Sequence, residues 1–372
     1  MPKTLLYFVT EDWYFCSHRF ALAKAAQQQG FNVSVLTSVN QHGDIIRAAG
    51  FNLIELNIDR GGINPLRELR TLYQIWRVYQ QIKPDIVHHV ALKPVLYGGL
   101  VALFCPAIHT VNLIAGLGAI FTTNSYKSRL LRPVVILLLR KLFRRANSHM
   151  IVQNREDYNL LVNRLLLEPE QVSLIKGSGV DSDRFSPTPE PPGQIRMALV
   201  SRLLWDKGVG EYVEAVKLLR QKGLDFTALL VGEPDEKNPA TVSAEQYKTW
   251  QEEGAVKCLG FVEDIAPVWR DVHIAVLPSY REGLPKSLLE AAACGRAIVT
   301  TDTAGCNEVV HNGVNGLLVP VRDVRALADA LEKLILNKPL RQAMGVAGRA
   351  MIEKEFSDRH IIAQTLRIYN TQ

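Results

Sequence analysis

Residues 281–302 read REGLPKSLLEAAACGRAIVTTD, and they follow HIAVLPSY at 273–280. The apolar run before Glu282 fits a buried strand. The run after Pro285 is rich in helix formers and is stopped by Gly295. Proline suits the first helical position, because its missing N–H has no intrahelical partner to lose. Glu282 therefore falls in a strand-to-helix loop and Glu290 on the helix. The spacing alone means little: a Glu-x7-Glu pair is expected about once by chance in a chain of this composition, and Glu245 with Glu253 supplies one. The context carries the reading. Backbone N–H groups of Leu284, Lys286 and Ser287 at such a helix start suit a phosphate. Two carboxylates beside them suit hydroxyl groups, which is the layout of a sugar nucleotide.

The same alternation of strand and helix runs through the chain. TLLYFVT, FNVSVLTS, FNLIELNI, DIVHHV, AIHTVNLI and SHMIVQN alternate with helical segments in the first half. IRMALVSR, FTALLVG, AVKCLGF, HIAVLPS, AIVTTD and NGLLVP do so in the second. This rhythm predicts an α/β protein with two doubly wound parallel sheets. Residues 186–193, SPTPEPPG, hold four prolines and predict a linker between a first domain at 1–185 and a second at 194–372. Two such domains are expected to face a central cleft, with ligands outside the carboxyl ends of the strands. A dinucleotide-dependent dehydrogenase is disfavoured, since no G-x-G-x-x-G follows the first strand.

Composition narrows the field further. A chain of 372 residues with 47% apolar content can bury two cores. Its five cysteines are scattered without a CxxC, which predicts neither a disulfide framework nor a zinc site and suits a reducing cytoplasm. The opening MPKTLLYFVTEDWYF reads as a first strand and not as a signal peptide. Charge is uneven: residues 1–190 hold 21 Lys+Arg against 14 Asp+Glu, and residues 191–372 hold 22 against 23. No acid occurs between Asp85 and Glu156, a stretch that carries Lys127, Arg129, Arg132, Arg140, Lys141, Arg144 and Arg145. Such a block calls for a phosphate or an anionic membrane surface, and no nucleic-acid partner is expected. Apolar residues from Leu131 to Leu142 recur at helical steps among these cations, so this segment reads as an interfacial helix starting at Pro133, or else as a domain helix whose apolar stripe faces the sheet.

Several segments carry a resemblance. SRLLWDKGV at 201–209, LGFVED at 259–264, the run from Pro278 to Val310 and NGLLVP at 315–320 resemble the retaining glycosyltransferases of family 4, which have the GT-B fold. GSGVDSDRF at 177–185 resembles that family's hinge. EDWYFCSHRF and GLGAIF resemble a bacterial branch that extends polyprenyl-diphosphate-linked oligosaccharides. The resemblance implies that Arg202 and Lys207 clamp the departing diphosphate, that Glu282 contacts the transferred sugar and that Glu290 contacts the ribose. It also implies that Val262 offers backbone groups to the base. Leu284, Pro285, Lys286 and Ser287 would line the phosphates. A first-domain histidine would stand near the acceptor, with His109 and His18 as candidates, and His88 or His89 as others. The family's Gly-Gly in the first loop is replaced by Trp13-Tyr14-Phe15, and Gly116 is the candidate for close backbone approach instead. The C-terminal helix is expected to return to the first domain.

The expected activity is retaining, metal-independent transfer of a hexose or N-acetylhexosamine. Its donor would be a nucleotide sugar of uridine diphosphate type and its acceptor lipid-linked, with the enzyme on the inner face of the plasma membrane. No cofactor and no metal are expected; Asp181-Ser182-Asp183 has the look of a DxD metal motif but sits in the hinge context. The residues leave open a non-hydrolysing sugar-nucleotide epimerase and a non-catalytic membrane-associated nucleotide-binding subunit.

Overall fold

A computed structural model describes residues 2–58, 65–114, 126–164, 167–235 and 238–371. The chain divides into two compact units, the first of residues 1–178 with 362–372 and the second of residues 179–361. Both are α/β with wholly parallel strand pairing.

In the first unit β1 (Thr4–Glu11), β2 (Asn32–Ser38), β3 (Asn52–Glu55), β4 (Ile86–Val90), β5 (His109–Leu113), β6 (Ser148–Val152) and β7 (Val172–Leu174) form one sheet in the order β3-β2-β1-β4-β5-β6-β7. Strand β4 is buried on every residue, as a central strand covered on both faces must be. Its two histidines point to opposite faces. His88 Nδ1 meets the Tyr369 hydroxyl, which also donates to the Tyr7 hydroxyl at 3.1 Å. Tyr369 lies on the last helix, Asp358–Thr371, so the expected return of the C-terminal helix to the first domain is seen in this buried contact. On the other face, His89 is held between the Tyr79 hydroxyl and Asn112 Oδ1, both at 2.7 Å. Burial pushes the His89 imidazole down to about 4 and that of His88 well below its ordinary range, so both are neutral core residues.

In the second unit β8 (Ile195–Val200), β9 (Phe226–Val231), β10 (Lys257–Gly260), β11 (Ile274–Leu277), β12 (Ala297–Thr301) and β13 (Gly316–Val319) run in the order β10-β9-β8-β11-β12-β13. The order reverses between β8 and β11, and that junction is where open α/β sheets place their ligands. The helix Val209–Gln221 shows how the sequence packs this unit: Val209, Tyr212, Val213, Val216 and Leu219, spaced three and four apart, are all buried against the sheet. The proline-rich residues 186–193 are held by the second unit. Arg296 donates to Thr188, Arg341 pairs with Glu190 at 2.7 Å, and His273 meets the Pro191 carbonyl at 2.9 Å.

The helix predicted to begin at Pro133 spans Tyr126–Phe143, with Pro133 inside it. Leu139, Leu142 and Phe143 are buried in the first unit's core, and Val135 and Ile136 pack against them. In this half of the helix the apolar stripe faces the sheet, so the interfacial reading is corrected here. Lys141 and Arg144 remain exposed, and the side chains of Lys127, Arg129 and Arg132 lie outside the described residues. Among the described residues, no helix is long and apolar enough to cross a membrane.

Candidate active site

The carboxyl edge of the second sheet gathers the loops after β8, β9, β11 and β12. Backbone and side-chain ties fix them to one another. The Tyr280 N–H donates to the Asp206 carbonyl at 2.8 Å and the Ser279 hydroxyl to the same oxygen at 3.0 Å. The Glu282 N–H donates to Ala304 O at 3.1 Å, and the Thr303 hydroxyl to Tyr280 O at 2.9 Å. Two glycines permit this approach. Gly208 has φ +70°, and a Cβ there would strike the Pro278 carbonyl. Gly305 has φ +82°, and a Cβ would lie 2.6 Å from the Glu282 and Gly283 carbonyls. These ties fix the loop backbones from which the charged side chains project.

Two ion pairs result. Lys207 Nζ lies 2.6 Å from Glu282 Oε1, with 18% and 12% of the two side chains exposed. Arg202 Nη1 lies 2.7 Å from Asp235 Oδ2, with Arg202 44% exposed. Lys207 and Glu282 come from the loops after β8 and β11, the two strands that bracket the reversal. Asp235, on the loop after β9, was not singled out by sequence reasoning. The signal available was a GEPD run directly after a strand, as in SRLLWDK after β8.

The helix after β11 runs Lys286–Ala293, with Pro285 as its N-cap and the Pro285 carbonyl accepting from Leu288 and Leu289 at 3.1 and 3.3 Å. Pro285 thus precedes the first helical position, one residue earlier than expected, because its ψ of 111° is extended although its φ of −74° suits a helix. Lys286 and Ser287 become the first two helical residues, with Leu284 partly buried beside them. Glu290 is 8% exposed; its Oε2 accepts from the Trp269 indole N–H at 3.4 Å, and Lys286 Nζ stands 3.9 Å from its Oε1. Burial holds the Glu290 carboxyl above its ordinary range, partly offset by Lys286. Val262 sits on the loop after β10, its side chain packed against the core. Cys306 is buried beside this loop assembly. Its thiol is pushed up to about 12, first by burial and then by Glu282, so it is a poor nucleophile.

The remaining sequence candidates separate from this cluster. His109 is the first residue of β5, its N–H bonded to Asp85 O at 3.0 Å, and so occupies the amino edge of the first sheet, away from the loops that follow the strands. His18 ends the helix Asp12–His18 that follows β1, at the carboxyl edge, with its ring stacked on Tyr14 at 4.1 Å. Gly116 lies outside the described residues. Asp181 Oδ1 accepts from the N–H groups of Asp183 and Arg184, and Asp183 pairs with Arg359 at 2.5 Å, so both acids of the DxD-like run are engaged in local structure. Among the described residues, no group of three or more His, Cys, Asp or Glu side chains could hold a metal ion.

Comparison with known proteins agrees with this geometry in both halves. The family described as "Glycosyl transferase 4-like" matches residues 4–154, and "Glycosyl transferases group 1" matches residues 194–337. The chain is 29% identical over 366 residues to the N,N'-diacetylbacillosaminyl-diphospho-undecaprenol alpha-1,3-N-acetylgalactosaminyltransferase of Campylobacter jejuni, covering 95% of this chain and 94% of that one. It is 24% identical over 292 residues to the UDP-Gal:alpha-D-GlcNAc-diphosphoundecaprenol alpha-1,3-galactosyltransferase of Escherichia coli, covering 75% and 73%. HepE from Anabaena, solved in complex with UDP and glucose, shares the fold with a TM-score of 0.78 at 17% identity, covering 99% of both chains. Two matched halves, two parallel α/β units and a charged site at the strand reversal make this chain a member of the GT-B glycosyltransferases.

Proposed function

We propose that the protein moves a hexose or N-acetylhexosamine from a UDP-linked sugar to a hydroxyl of a lipid-diphosphate-linked saccharide, with retention at the anomeric carbon. The observation that carries this reading is the Lys207–Glu282 pair at the β8/β11 reversal, beside Arg202 and the start of the helix at Lys286. Two cations and a helix N-terminus suit a diphosphate. Glu282 accepts from sugar hydroxyls, Glu290 from the ribose, and Val262 offers backbone groups to the base. The named relatives act on diphospho-undecaprenol-linked saccharides, and one uses a UDP-sugar, which supports the same classes here.

In the proposed reaction the bond from the anomeric carbon to the diphosphate oxygen breaks as the acceptor oxygen bonds to that carbon from the same face. The acceptor's proton passes to the departing phosphate oxygen. Arg202 and Lys207 stabilise the charge that develops there, and so stand in for a divalent ion. Catalysis then rests on positioning and charge, without a protein nucleophile. The first unit serves as the acceptor domain; His18, not His109, is its histidine placed for this, and peripheral contact with an anionic membrane brings the enzyme to its lipid-linked acceptor.

Thermal shift across a panel of nucleotide sugars tests the donor assignment, because a ligand that binds only the folded state raises the melting temperature by mass action. UDP-sugars should raise it and the Lys207→Ala variant should lose most of the rise. No shift with any nucleotide sugar would overturn the assignment.

A further inference from the structure

The helix Pro65–Ile82 of the first unit carries an apolar stripe that its own fold leaves uncovered. Leu66 is 79% exposed, Leu69 63%, Tyr73 57% and Trp76 41%. At 100° per residue these four fall within an arc of about 80° on the helix surface. Tyr73 and Trp76 stack on each other at 5.9 Å. The opposite face holds Thr71, Ile75 and Tyr79, all buried in the core. The exposed stripe is therefore an additional apolar face, and not the helix's core contact turned outward. The exposed residues Arg70 and Arg77 border it along one side, and the helix's sole acid, Glu68, is engaged with Lys93 at 3.1 Å.

We infer that this stripe is the surface by which the protein seats itself on an anionic lipid bilayer. The inference rests on the lipid-linked acceptor proposed above and identifies where membrane contact occurs. Trp and Tyr side chains prefer the headgroup level, where an apolar ring and a polar tip are both satisfied, while leucines reach the acyl boundary beneath and arginines meet lipid phosphates. Charge decides against a second copy of the chain as the occupant. Pairing two such faces would bring Arg70 and Arg77 of one copy toward those of the other, and the helix's glutamate is already paired. An anionic surface meets the same arginines with opposite charge. The helix Tyr126–Phe143 supplies no comparable face where its side chains are described: Leu139, Leu142 and Phe143 are buried, and Leu137 is the large apolar residue exposed there.

Co-sedimentation with vesicles of equimolar phosphatidylglycerol and phosphatidylcholine, and with phosphatidylcholine alone, tests the inference without any sugar substrate. Donor binding in solution is read separately, so failure of the membrane surface and failure of the glycosyl-transfer reading are distinguishable. The wild-type protein should pellet with the anionic vesicles at 50 mM salt. The triple variant Leu69→Ser, Tyr73→Ser, Trp76→Ser should bind at least ten-fold more weakly while keeping its melting temperature and its UDP affinity. Trp76→Phe should lose the blue shift of fluorescence that vesicles induce in the wild type. The inference is overturned if the wild type stays in the supernatant. It is also overturned if the triple variant pellets equally well, and then reversal of Arg140, Lys141, Arg144 and Arg145 shows whether the other helix makes the contact. A wild-type dimer that the triple variant converts to monomer would likewise overturn it and assign the stripe to self-association.

Discussion

Removing the negative charge of Glu282 should tighten UDP binding while it disables transfer. Lys207 is paired with Glu282 at 2.6 Å, so a diphosphate must compete with that carboxylate for the ammonium. Two unit charges at that separation attract by roughly 6 kcal/mol at an effective dielectric of about 20. Desolvation and the remaining exposure of 18% and 12% oppose this, and a net coupling of about 1–2 kcal/mol is left. Glu282→Gln releases that amount to the diphosphate, which corresponds to a roughly 5- to 30-fold lower Kd for UDP. Turnover should nonetheless fall by about two orders of magnitude, because a neutral amide accepts more weakly from the transferred sugar's hydroxyls. Isothermal titration of UDP into wild type, Glu282→Gln, Lys207→Met and the double variant closes a thermodynamic cycle. The gain from Glu282→Gln should shrink to a few tenths of a kcal/mol once Lys207 is absent. Equal gains in both backgrounds would show that Glu282 merely repels the anion at a distance, and weaker UDP binding by Glu282→Gln would refute the competition altogether.

Glu290→Gln should raise the melting temperature above pH 7, because burial holds this carboxyl above its ordinary range. The wild type loses stability as pH rises through the raised value, so the advantage of Gln should fade toward pH 4, and an advantage that grows on acidification would contradict the assignment. His89 behaves oppositely: with its imidazole pushed down to about 4, stability is full above pH 6.5 and is lost as pH falls toward 4, by up to about 3 kcal/mol, which urea unfolding at the two pH values measures. Gly98→Ala should cost at least about 1–3 kcal/mol in the same assay, since its Cβ would strike the His89 ring and come within 2.7 Å of the Tyr79 hydroxyl; a neutral effect would mean that the His89–Tyr79 contact gives way freely.

The parallel strands were legible because buried runs such as IVHHV and IAVL alternate with helical segments at regular intervals. The sequence also placed Lys207 and Glu282 on strand-to-helix loops, but it gave no sign that they pair. They are 75 residues apart, and the contact depends on strand order, which sets β8 beside β11. His109 and His18 looked equivalent as lone histidines near strands. Only the direction of β5 shows that His109 stands at the amino edge. Hydropathy likewise found apolar periodicity in 131–142 and could not say which face already had a partner. The core takes Leu139 and Leu142, while Leu69, Tyr73 and Trp76 on the earlier helix are left open. Pro285 shows the limit on a smaller scale: its φ was foreseeable from its ring, its ψ was not.

The central claim is that this site transfers a sugar by clamping a diphosphate between protein cations. It is tested most directly by following UDP release and the anomeric configuration of the product by NMR. UDP-hexoses or UDP-N-acetylhexosamines and a polyprenyl-diphosphate-linked saccharide would be supplied in the presence of EDTA. The wild type should give acceptor-dependent UDP release and an α-linked product from an α-linked donor, and Arg202→Ala and Lys207→Ala should each be at least about 100-fold slower. An inverted product, activity that vanishes in EDTA and returns with Mg²⁺ or Mn²⁺, or near-wild-type rates in both variants would contradict the account.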